Sequence, residues 1–347
     1  MTYIVLWVAN RNRLTTDPLG LITQWDAGWN SVVAGQGYVE MPAMGTGIEK
    51  FMTLAFFPVV PRFVQFLHWS TGLPIKPAGL LFCTVCGFAA TLVLWRLIQR
   101  RYSDDIASDS ILLLLVSPFA FVFSMFYTEG PTLLMVALCF TALDRKRWVW
   151  AGLAALLVGS MRPNGLLIFV PCFVAAILAF RESRDWKAFI APLLAPIGFI
   201  AWIGYVWHRT GEVFGYFTIQ SKGWGASFDW GQATWEATID LVTHQWKTSN
   251  LVINTLMLFV IGVLGLVLAY RRRMDWVWFS YAAAVVFLTA TNSRQSSSGR
   301  FLLLAFPLFV AFALSIPKRW LPMVAAMSAV IMGGFFYSVT GPGSLVP

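Results

Sequence analysis

Charged residues are scarce in this sequence. Asp, Glu, Lys and Arg make up 12% of its 347 residues, about half the share found in soluble domains, whereas 58% of the residues are hydrophobic. So little charge cannot cover a water-exposed surface, which excludes an ordinary soluble domain. Because a membrane crossing needs about 20 apolar residues, the chain has apolar sequence for about ten transmembrane helices. The composition therefore predicts an integral membrane protein.

Motifs for nucleotide, dinucleotide and zinc chemistry are also missing. The sequence has no Walker A motif, no G-x-G-x-x-G and no H-E-x-x-H, and His68, His208 and His244 stand far apart. Cys83 and Cys86 have C-x-x-C spacing, but their apolar run holds no histidine, and no second cysteine pair lies nearby, which favours buried thiols. We therefore expect neither a cofactor nor a bound metal ion.

Ten apolar runs predict transmembrane helices, at about 78–95, 109–126, 132–143, 149–160, 165–180, 188–206, 251–270, 276–291, 301–316 and 320–339. Residues Tyr3 to Val8 are apolar but span only about 9 Å as a helix, so we expect them to be the outer end of a truncated first helix. The stretch 51–69 contains Pro58 and Pro61, which predicts an interfacial or re-entrant segment. The expected fold is an all-α polytopic bundle of about 10–11 transmembrane helices, forming one domain over residues 1–347.

The distribution of basic residues predicts the orientation of this bundle. The net charge of +9 comes from 25 Lys and Arg against 16 Asp and Glu, and in a helical bundle such an excess sets topology rather than indicating nucleic acid. If residue 96 is cytoplasmic and each run crosses once, five inner loops of 29 residues in all hold 14 of the basic residues. The unusual polar loops then share the outer face, at 24–30, 127–130, 161–165, 220–225 and 292–300. We therefore expect the functional site on the extracytoplasmic side.

Two acidic residues in these outer loops are candidates for chemistry. Asp26 lies between Trp25 and Trp29, where it could act as a general base or be a solvated residue beside a belt of interfacial tryptophans. Glu129 lies between two hydrophobic runs, and we expect it to pair with Arg162 in the substrate site rather than to act on the substrate.

Arginines in two of the loops predict an anion site. Arg162 stands beside Asn164 at a helix break, where an unpaired guanidinium is costly, so it either binds an anion or pairs with Glu129 or Asp26. Arg294 and Arg300 flank a Gln-Ser-Gly segment, and arginine offers bidentate hydrogen bonds to phosphate. We expect all three arginines to bind substrate.

Aromatic residues accompany a cation in the loop at 220–225. Lys222 and Trp224 together suit a phosphate next to a sugar, although an interfacial amphipathic loop has the same composition. Trp29, Tyr38 and Trp224 are candidates for stacking on a sugar, with a role in the interfacial aromatic belt as the alternative.

Four segments carry a resemblance to a known family: WDAGWNSVVAGQGY at 25–38, AFFPVVP at 55–61, SPFAFVFSMFYTEGPTLLM at 117–135 and GSMRPNGLL at 159–167. In order and spacing they resemble the GT-C superfamily of membrane glycosyltransferases. They are more closely similar to the PIG-V-like family, the type of the second mannosyltransferase of glycosylphosphatidylinositol assembly. The resemblance extends from residue 25 to about 180. Asn30 departs from the family, which usually has an aromatic residue there.

The resemblance implies a function. Members of that family move mannose from a polyprenyl phosphate donor to a lipid-linked or glycolipid acceptor at the non-cytoplasmic face. Asp26 matches the aspartate proposed in the superfamily as general base, and Arg162 matches the family's arginine before Asn-Gly. We therefore expect an inverting mannosyltransferase that uses polyprenyl phosphate mannose. The Val346-Pro347 terminus carries no eukaryotic retrieval signal, so we expect a bacterial plasma membrane.

Two other functions remain open at this stage. The same arginines would serve a transporter or flippase of lipid-linked sugars or anionic lipids, although the polar residues gather at one face. An assembly subunit of another transferase would be favoured if Asp26 lay far from every basic residue. The enzyme hypothesis instead requires Asp26, Arg162 and Arg300 to share one pocket.

Overall fold

The structure, a computed structural model, describes residue 20, residues 22–243 and residues 249–340. In this part of the chain the regular structure is helical, without a β-strand and with one isolated bridge between Phe228 and Asn292. The α-helices are α1 (Asp26–Gln36), α2 (Val59–Thr71), α3 (Ile75–Arg101), α4 (Asp104–Leu115), α5 (Glu129–Asp144), α6 (Trp148–Gly159), α7 (Phe169–Ser183), α8 (Ile190–Leu194), α9 (Ile197–Thr210), α10 (Gly215–Trp224), α11 (Gln232–Val242), α12 (Ser249–Met257), α13 (Leu264–Arg271), α14 (Trp276–Ala290), α15 (Ser298–Leu302), α16 (Phe306–Ala313) and α17 (Leu321–Thr340).

Short helical segments of other types connect these helices. The 3₁₀ segments are Pro42–Met44, Ile48–Ala55, Ala120–Ser124, Pro163–Ile168, Trp186–Phe189 and Gln295–Ser297, and the π-helix Leu258–Val263 joins α12 to α13. The expected first-helix remnant at Tyr3 to Val8, His244 and the Val346-Pro347 terminus lie outside the described residues.

Five helical segments are long and apolar enough to cross a membrane: Ile75–Arg101, Pro163–Ser183, Trp186–Thr210, Leu251–Arg271 and Leu321–Val339. The number rises to seven if two bent pairs, Ile48–Ala55 with Val59–Thr71 and Gln295–Leu302 with Phe306–Ala313, each form one span. The helices α6 and α14 are apolar but shorter. The all-helical membrane fold is therefore confirmed, whereas the described helices provide five to seven full-length spans rather than 10–11.

Proline residues explain part of this difference, because proline lacks the amide hydrogen that continues a helix. The run predicted at 109–126 stops as an α-helix at Leu115, just before Pro118. The run that includes α16 bends by 66°, and Pro307 stands in the first turn of that helix. The segment predicted to be interfacial or re-entrant bends by 73° next to Pro58.

The two ends of the bundle differ in their charged residues. The 16 residues of α5 rise about 24 Å from Glu129 to Asp144. At the Asp144 end, side chains from four loops predicted to be cytoplasmic form ion pairs: Arg101 with Asp144 at 2.6 Å and with Asp275 at 3.3 Å, and Lys146 with Glu182 at 2.8 Å. Loops that the charge pattern assigned to one side therefore meet at one end, and Glu129 lies at the other.

Close packing of α5 against α3 fixes the position of Glu129. A β-carbon on Gly130 would lie 2.6 Å from the carbonyl oxygen of Cys83 and 3.2 Å from the amide nitrogen of Gly87. A side chain at position 130 would therefore push the two helix backbones apart. Glycine at this crossing holds the start of α5, and with it the Glu129 side chain, against α3.

We predict that Gly130→Ala destabilises the protein by about 1–3 kcal/mol, because the added methyl group overpacks a contact between two backbones. The measurement is the thermal unfolding midpoint in detergent. Gly204→Ala in α9 is the matched control, since a β-carbon there meets no atom within 4 Å. An equal midpoint for both variants would contradict this account of the α3–α5 crossing.

Candidate active site

Four charged side chains from distant parts of the sequence form a continuous chain of contacts. Arg300 Nη1 donates to Asp26 Oδ2 at 2.6 Å, although the two residues are 274 positions apart. Glu129 Oε1 lies 3.2 Å from Arg300 Nε and 3.0 Å from Arg162 Nη1. We call Asp26, Arg300, Glu129 and Arg162 the charge chain. It joins the starts of α1 and α5 to the loop after α6 and to α15.

The other three members of the charge chain are more deeply buried than Asp26. The Asp26 side chain is 27% exposed, whereas those of Arg300, Arg162 and Glu129 are 9%, 7% and 2% exposed. Charges this deeply buried are stable only when they are paired, so Glu129 compensates two guanidinium groups at once. Asp26 is thus the most exposed member of the charge chain.

The contacts to Glu129 are ion pairs rather than well-directed hydrogen bonds. Arg162 Nη1 and Arg300 Nε lie within ion-pair distance, but their N–H groups are not aimed at a carboxylate oxygen. Among the described residues, Glu129 Oε2, Arg162 Nε and Asn164 Oδ1 are buried without a hydrogen-bond partner. Buried polar atoms in native proteins are usually paired, so this cluster keeps unused hydrogen-bonding capacity.

The sequence MRPNG places Arg162 by its local geometry. Arg162 is extended, and Pro163 then begins the 3₁₀ segment Pro163–Ile168. A β-carbon on Gly165 would lie 2.1 Å from the carbonyl oxygen of Val158, so glycine lets this turn fold back onto the end of α6. The guanidinium is thereby held at the end of the bundle where α5 begins.

Asp26 is positioned by the unusual backbone conformation of Trp25 and by the buried side-chain amide of Asn30. Trp25 has a φ of 57°, a conformation that residues other than glycine rarely adopt, and α1 starts at the next residue. An acid at a helix start is favoured by the helix dipole. One turn later, Asn30 Nδ2 donates to the carbonyl oxygen of Phe126 at 3.3 Å, which ties α1 to the segment before α5.

Arg300 is held in place by the buried side-chain amide of Asn254, through the backbone of Gly299, and by two aromatic rings. The Gly299 amide donates to Asn254 Oδ1 at 2.9 Å. The guanidinium carbon of Arg300 lies 5.2 Å from the centre of the Tyr127 ring and 5.6 Å from that of Phe301. Phe301 is also 5.6 Å from the guanidinium of Arg162. One ring thus borders both buried arginines.

Two further groups near Asp26 contribute to the electrostatics. Burial raises the pKa of Tyr127 well above its ordinary value, and the Asp26 carboxylate raises it further, so the phenol remains neutral. Burial lowers the pKa of Arg294, and this effect is larger than the opposing effect of the Asp26 carboxylate, which raises it. An arginine nevertheless keeps its charge at neutral pH.

The charge chain opens into a cleft of about 810 Å³, including its open mouth. Asp26, Arg162, Arg294 and Arg300 all line this cleft, and Glu129 lies behind it. Arg294 Nη1 contacts the carbonyl oxygen of Trp224 at 3.4 Å, and no carboxylate of the described residues lies within ion-pair distance of it. Arg162, Arg294 and Arg300 carry three positive charges, whereas Asp26 and Glu129 carry two negative charges. The cleft and the buried acid behind it therefore have one uncompensated positive charge.

The other predicted site residues fall into two groups. Trp224 lines the cleft, and Trp29 packs against Phe56, which also lines it, with ring centres 5.9 Å apart. Asn164 is buried beside the cleft rather than in its lining.

Two predicted residues lie outside the lining of the cleft. Lys222 does not line the cleft: its ammonium lies 2.7 Å from Glu49 Oε1, and its side chain is 50% exposed. The nearby carboxylate draws the lysine away from Trp224. Tyr38 does not line the cleft either, because its hydroxyl donates to the carbonyl oxygen of Phe56 at 3.0 Å and its ring packs on Trp202.

Sequence reasoning missed Asn254 and Phe301. Asn254 carried a signal, since a polar side chain within a membrane-spanning apolar run is costly and marks a functional contact. The sequence contains no such signal for Phe301, because nothing distinguishes it from the other phenylalanines among the 29 in the chain. In the described part of the chain, no group of three or more His, Cys, Asp or Glu side chains could hold a metal ion.

We predict that Glu129→Gln destabilises the protein by about 3–5 kcal/mol, because it leaves two buried guanidinium groups without their shared carboxylate. The thermal midpoint in detergent measures this loss. Glu49→Gln is the matched control, since it removes a carboxylate from the exposed pair with Lys222 and should change the midpoint little. If both variants behaved alike, the charge chain would not be a structural requirement.

Comparison with solved structures identifies the fold. The chain is similar to the crystal structure of ArnT from Cupriavidus metallidurans bound to undecaprenyl phosphate, with a TM-score of 0.58 and 15% sequence identity over 97% of this chain and 63% of that one. It also aligns with the apo oligosaccharyltransferase of Archaeoglobus fulgidus, with a TM-score of 0.49 and 10% identity over 98% of this chain and 56% of that one.

The chain thus spans less than two thirds of the length of either solved protein. No protein-family model matches the sequence, and no curated protein matches it. At 15% identity the likeness to ArnT concerns the fold. The chain therefore has the fold of the ArnT structure.

Proposed function

We propose that this protein is a membrane glycosyltransferase of the PIG-V-like type. It transfers a sugar, mannose in this proposal, from a polyprenyl phosphate to a lipid-linked or glycolipid acceptor, with inversion at the anomeric carbon. The observation that carries the proposal is the cleft, in which a partly exposed carboxylate, Asp26, stands beside three arginines at one end of a GT-C bundle. A subunit that only assists the assembly of another transferase would not need a carboxylate beside three arginines in a cleft.

The charge of the cleft supports a donor with one phosphate group. A sugar phosphodiester carries one negative charge, which the uncompensated positive charge of the cleft neutralises. ArnT, a protein of similar structure, was crystallised with undecaprenyl phosphate, a polyprenyl phosphate of the kind that such a donor releases. The mannose and the PIG-V-like assignment rest on the sequence segments at 25–38, 55–61, 117–135 and 159–167.

The proposed reaction is a single displacement. An acceptor hydroxyl attacks the anomeric carbon, and its proton passes to Asp26 Oδ1, for which the described residues provide no hydrogen-bond donor. The bond from the anomeric carbon to the phosphate oxygen breaks on the opposite side, and the polyprenyl phosphate leaves with the electron pair. Arg294 and Arg300 are the cations that stabilise the new charge, and Glu129 holds Arg300 and Arg162 in place.

The proposed side of the membrane is extracytoplasmic. The basic loops that form ion pairs around Arg101 lie at the Asp144 end of α5, and the cleft lies at the Glu129 end. Since basic loops remain cytoplasmic, the cleft then faces the other side. A bacterial plasma membrane is the proposed location.

We predict that Asp26→Asn lowers transfer by about 10²–10⁴-fold, the usual contribution of a positioned general base. The assay supplies labelled polyprenyl phosphate mannose to the purified protein, with lipids from a strain lacking the protein as the source of acceptor. Glu49→Gln, outside the cleft, should retain transfer. Near-normal transfer by Asp26→Asn would remove the general base from the mechanism.

We predict that Arg294→Gln lowers kcat/KM for the donor by at least about 10²-fold, because it removes the uncompensated cation of the cleft. Arg294 is a cleaner test than Arg162 or Arg300, whose loss would also expose the buried charge of Glu129. Lys222→Gln is the matched control, since Lys222 is a nearby cation paired with Glu49 outside the cleft. Equal losses in both variants would argue against a phosphate site at Arg294.

The same samples distinguish a transferase from a transporter. A transporter would move lipid-linked sugar between the leaflets of a liposome without forming a new glycosidic bond. Mass spectrometry of the product lipids reports bond formation directly. Leaflet exchange without any new product would favour the transporter.

A further inference from the structure

A second cavity adjoins the cleft. It is a groove between α2, α6 and α9, with a volume of about 880 Å³ including its open side. Apolar side chains such as Val59, Leu156 and Ile197 form most of its lining. Its volume lies within the range of ligand-binding pockets. None of the reaction steps above uses this groove.

The wall between the groove and the cleft is one residue thick at two places. Phe57 lines the cleft and Pro58 the groove, while Met161 lines the cleft and Ser160 the groove. The ring of Phe57 packs against that of Trp202, which lines the groove, with centres 5.7 Å apart. A molecule in the groove would therefore be separated from the cleft by the side chains of this wall.

The groove has its own cations. Arg62 lines it, and Arg209 donates to two residues of its lining, to the Tyr38 carbonyl oxygen at 3.1 Å and to the Tyr205 hydroxyl at 2.8 Å. Neither arginine has a carboxylate of the described residues within ion-pair distance. The indole N–H of Trp202 is buried and has no acceptor among those residues.

The surroundings of the groove identify its occupant as a lipid. Its α9 wall belongs to the membrane-crossing segment Trp186–Thr210. Large apolar side chains on the same helices point away from the protein, with Ile200 62% and Phe63 52% exposed. Such exposure is expected of surfaces that contact hydrocarbon. Two uncompensated arginines at an apolar groove complement a chain with an anionic headgroup.

We infer that the groove binds a second lipid, with its hydrocarbon chain between α2, α6 and α9 and its phosphodiester headgroup on Arg62 and Arg209. The wall that includes the Phe57 ring separates these arginines from those of the cleft, so two cationic sites imply two anionic lipids. The cleft takes the donor. On the proposed function, from which this role follows, the second lipid is the acceptor, and its headgroup crosses the wall to reach Asp26.

Native mass spectrometry of the detergent-solubilised protein tests this site with phosphatidylglycerol as the probe. We expect one phosphatidylglycerol to bind in preference to phosphatidylcholine. Ala201→Phe, which fills the groove, should abolish this binding, and Ile200→Phe, the matched control on the outward face of α9, should retain it. Arg62→Gln should weaken binding about tenfold, as the loss of one charge-assisted hydrogen bond implies. Lys76→Gln, which changes an exposed lysine in the first turn of α3 outside the groove, should not weaken it.

Binding of undecaprenyl phosphate to the same variants separates the two lipid sites. We expect Ala201→Phe and Arg62→Gln to leave it unchanged. Loss of undecaprenyl phosphate binding in Ala201→Phe would assign the groove to the donor chain and overturn the inference. Equal affinity for the two phospholipids, or equal losses in Ala201→Phe and Ile200→Phe, would also overturn it.

The inference and the proposed function fail in different ways. Phosphatidylglycerol binding needs no catalysis, so it should be the same in the wild-type protein and in Asp26→Asn. Intact transfer without a phosphatidylglycerol site would reject the groove inference alone. Groove-dependent lipid binding without transfer would reject the transferase and leave the lipid site.

Discussion

The carboxylate of Glu129 is the interaction on which the rest of the site depends. It is almost fully buried, and it lies within ion-pair distance of Arg162 and Arg300, which come from the loop after α6 and from α15. Two guanidinium groups could not remain in this apolar end of the bundle without it. Their placement orients Arg300 toward Asp26 and leaves Arg294 as the cation without a carboxylate. A single buried acid thereby organises the cleft.

Helix packing determines where that acid stands. Gly130 brings the start of α5 against α3, and Gly165 folds the MRPNG turn back onto the end of α6. Both contacts are between backbones, so they tolerate little adjustment. The charge chain thus combines costly buried charges with close helix contacts, an arrangement that fixes the positions of its arginines. In the proposed reaction, cations held in this way reorganise little as charge develops on the phosphate.

Much of this arrangement could be predicted from the sequence. Low charge and long apolar runs indicate a helical membrane protein, and the positive loops group correctly at one end. The costs of isolated charges in apolar sequence also pointed to the pairing of Glu129 with Arg162, which is present. The number of full-length spans could not be predicted, because bends at Pro58 and near Pro307 depend on tertiary packing. That Lys222 and Tyr38 lie outside the cleft lining could not be predicted either, because only the fold brings Glu49 and the Phe56 carbonyl next to them.

The groove beside the cleft adds a second lipid site to the one proposed for the donor. Its arginines and those of the cleft are separated by the ring of Phe57 and by the turn at Ser160 and Met161. A cryo-electron microscopy structure with undecaprenyl phosphate bound tests the central claim most directly. The account predicts the phosphate on Arg294 and Arg300, with Asp26 Oδ1 facing the position of the sugar. A phosphate on Arg62 and Arg209, with the cleft arginines still paired among themselves, would contradict it.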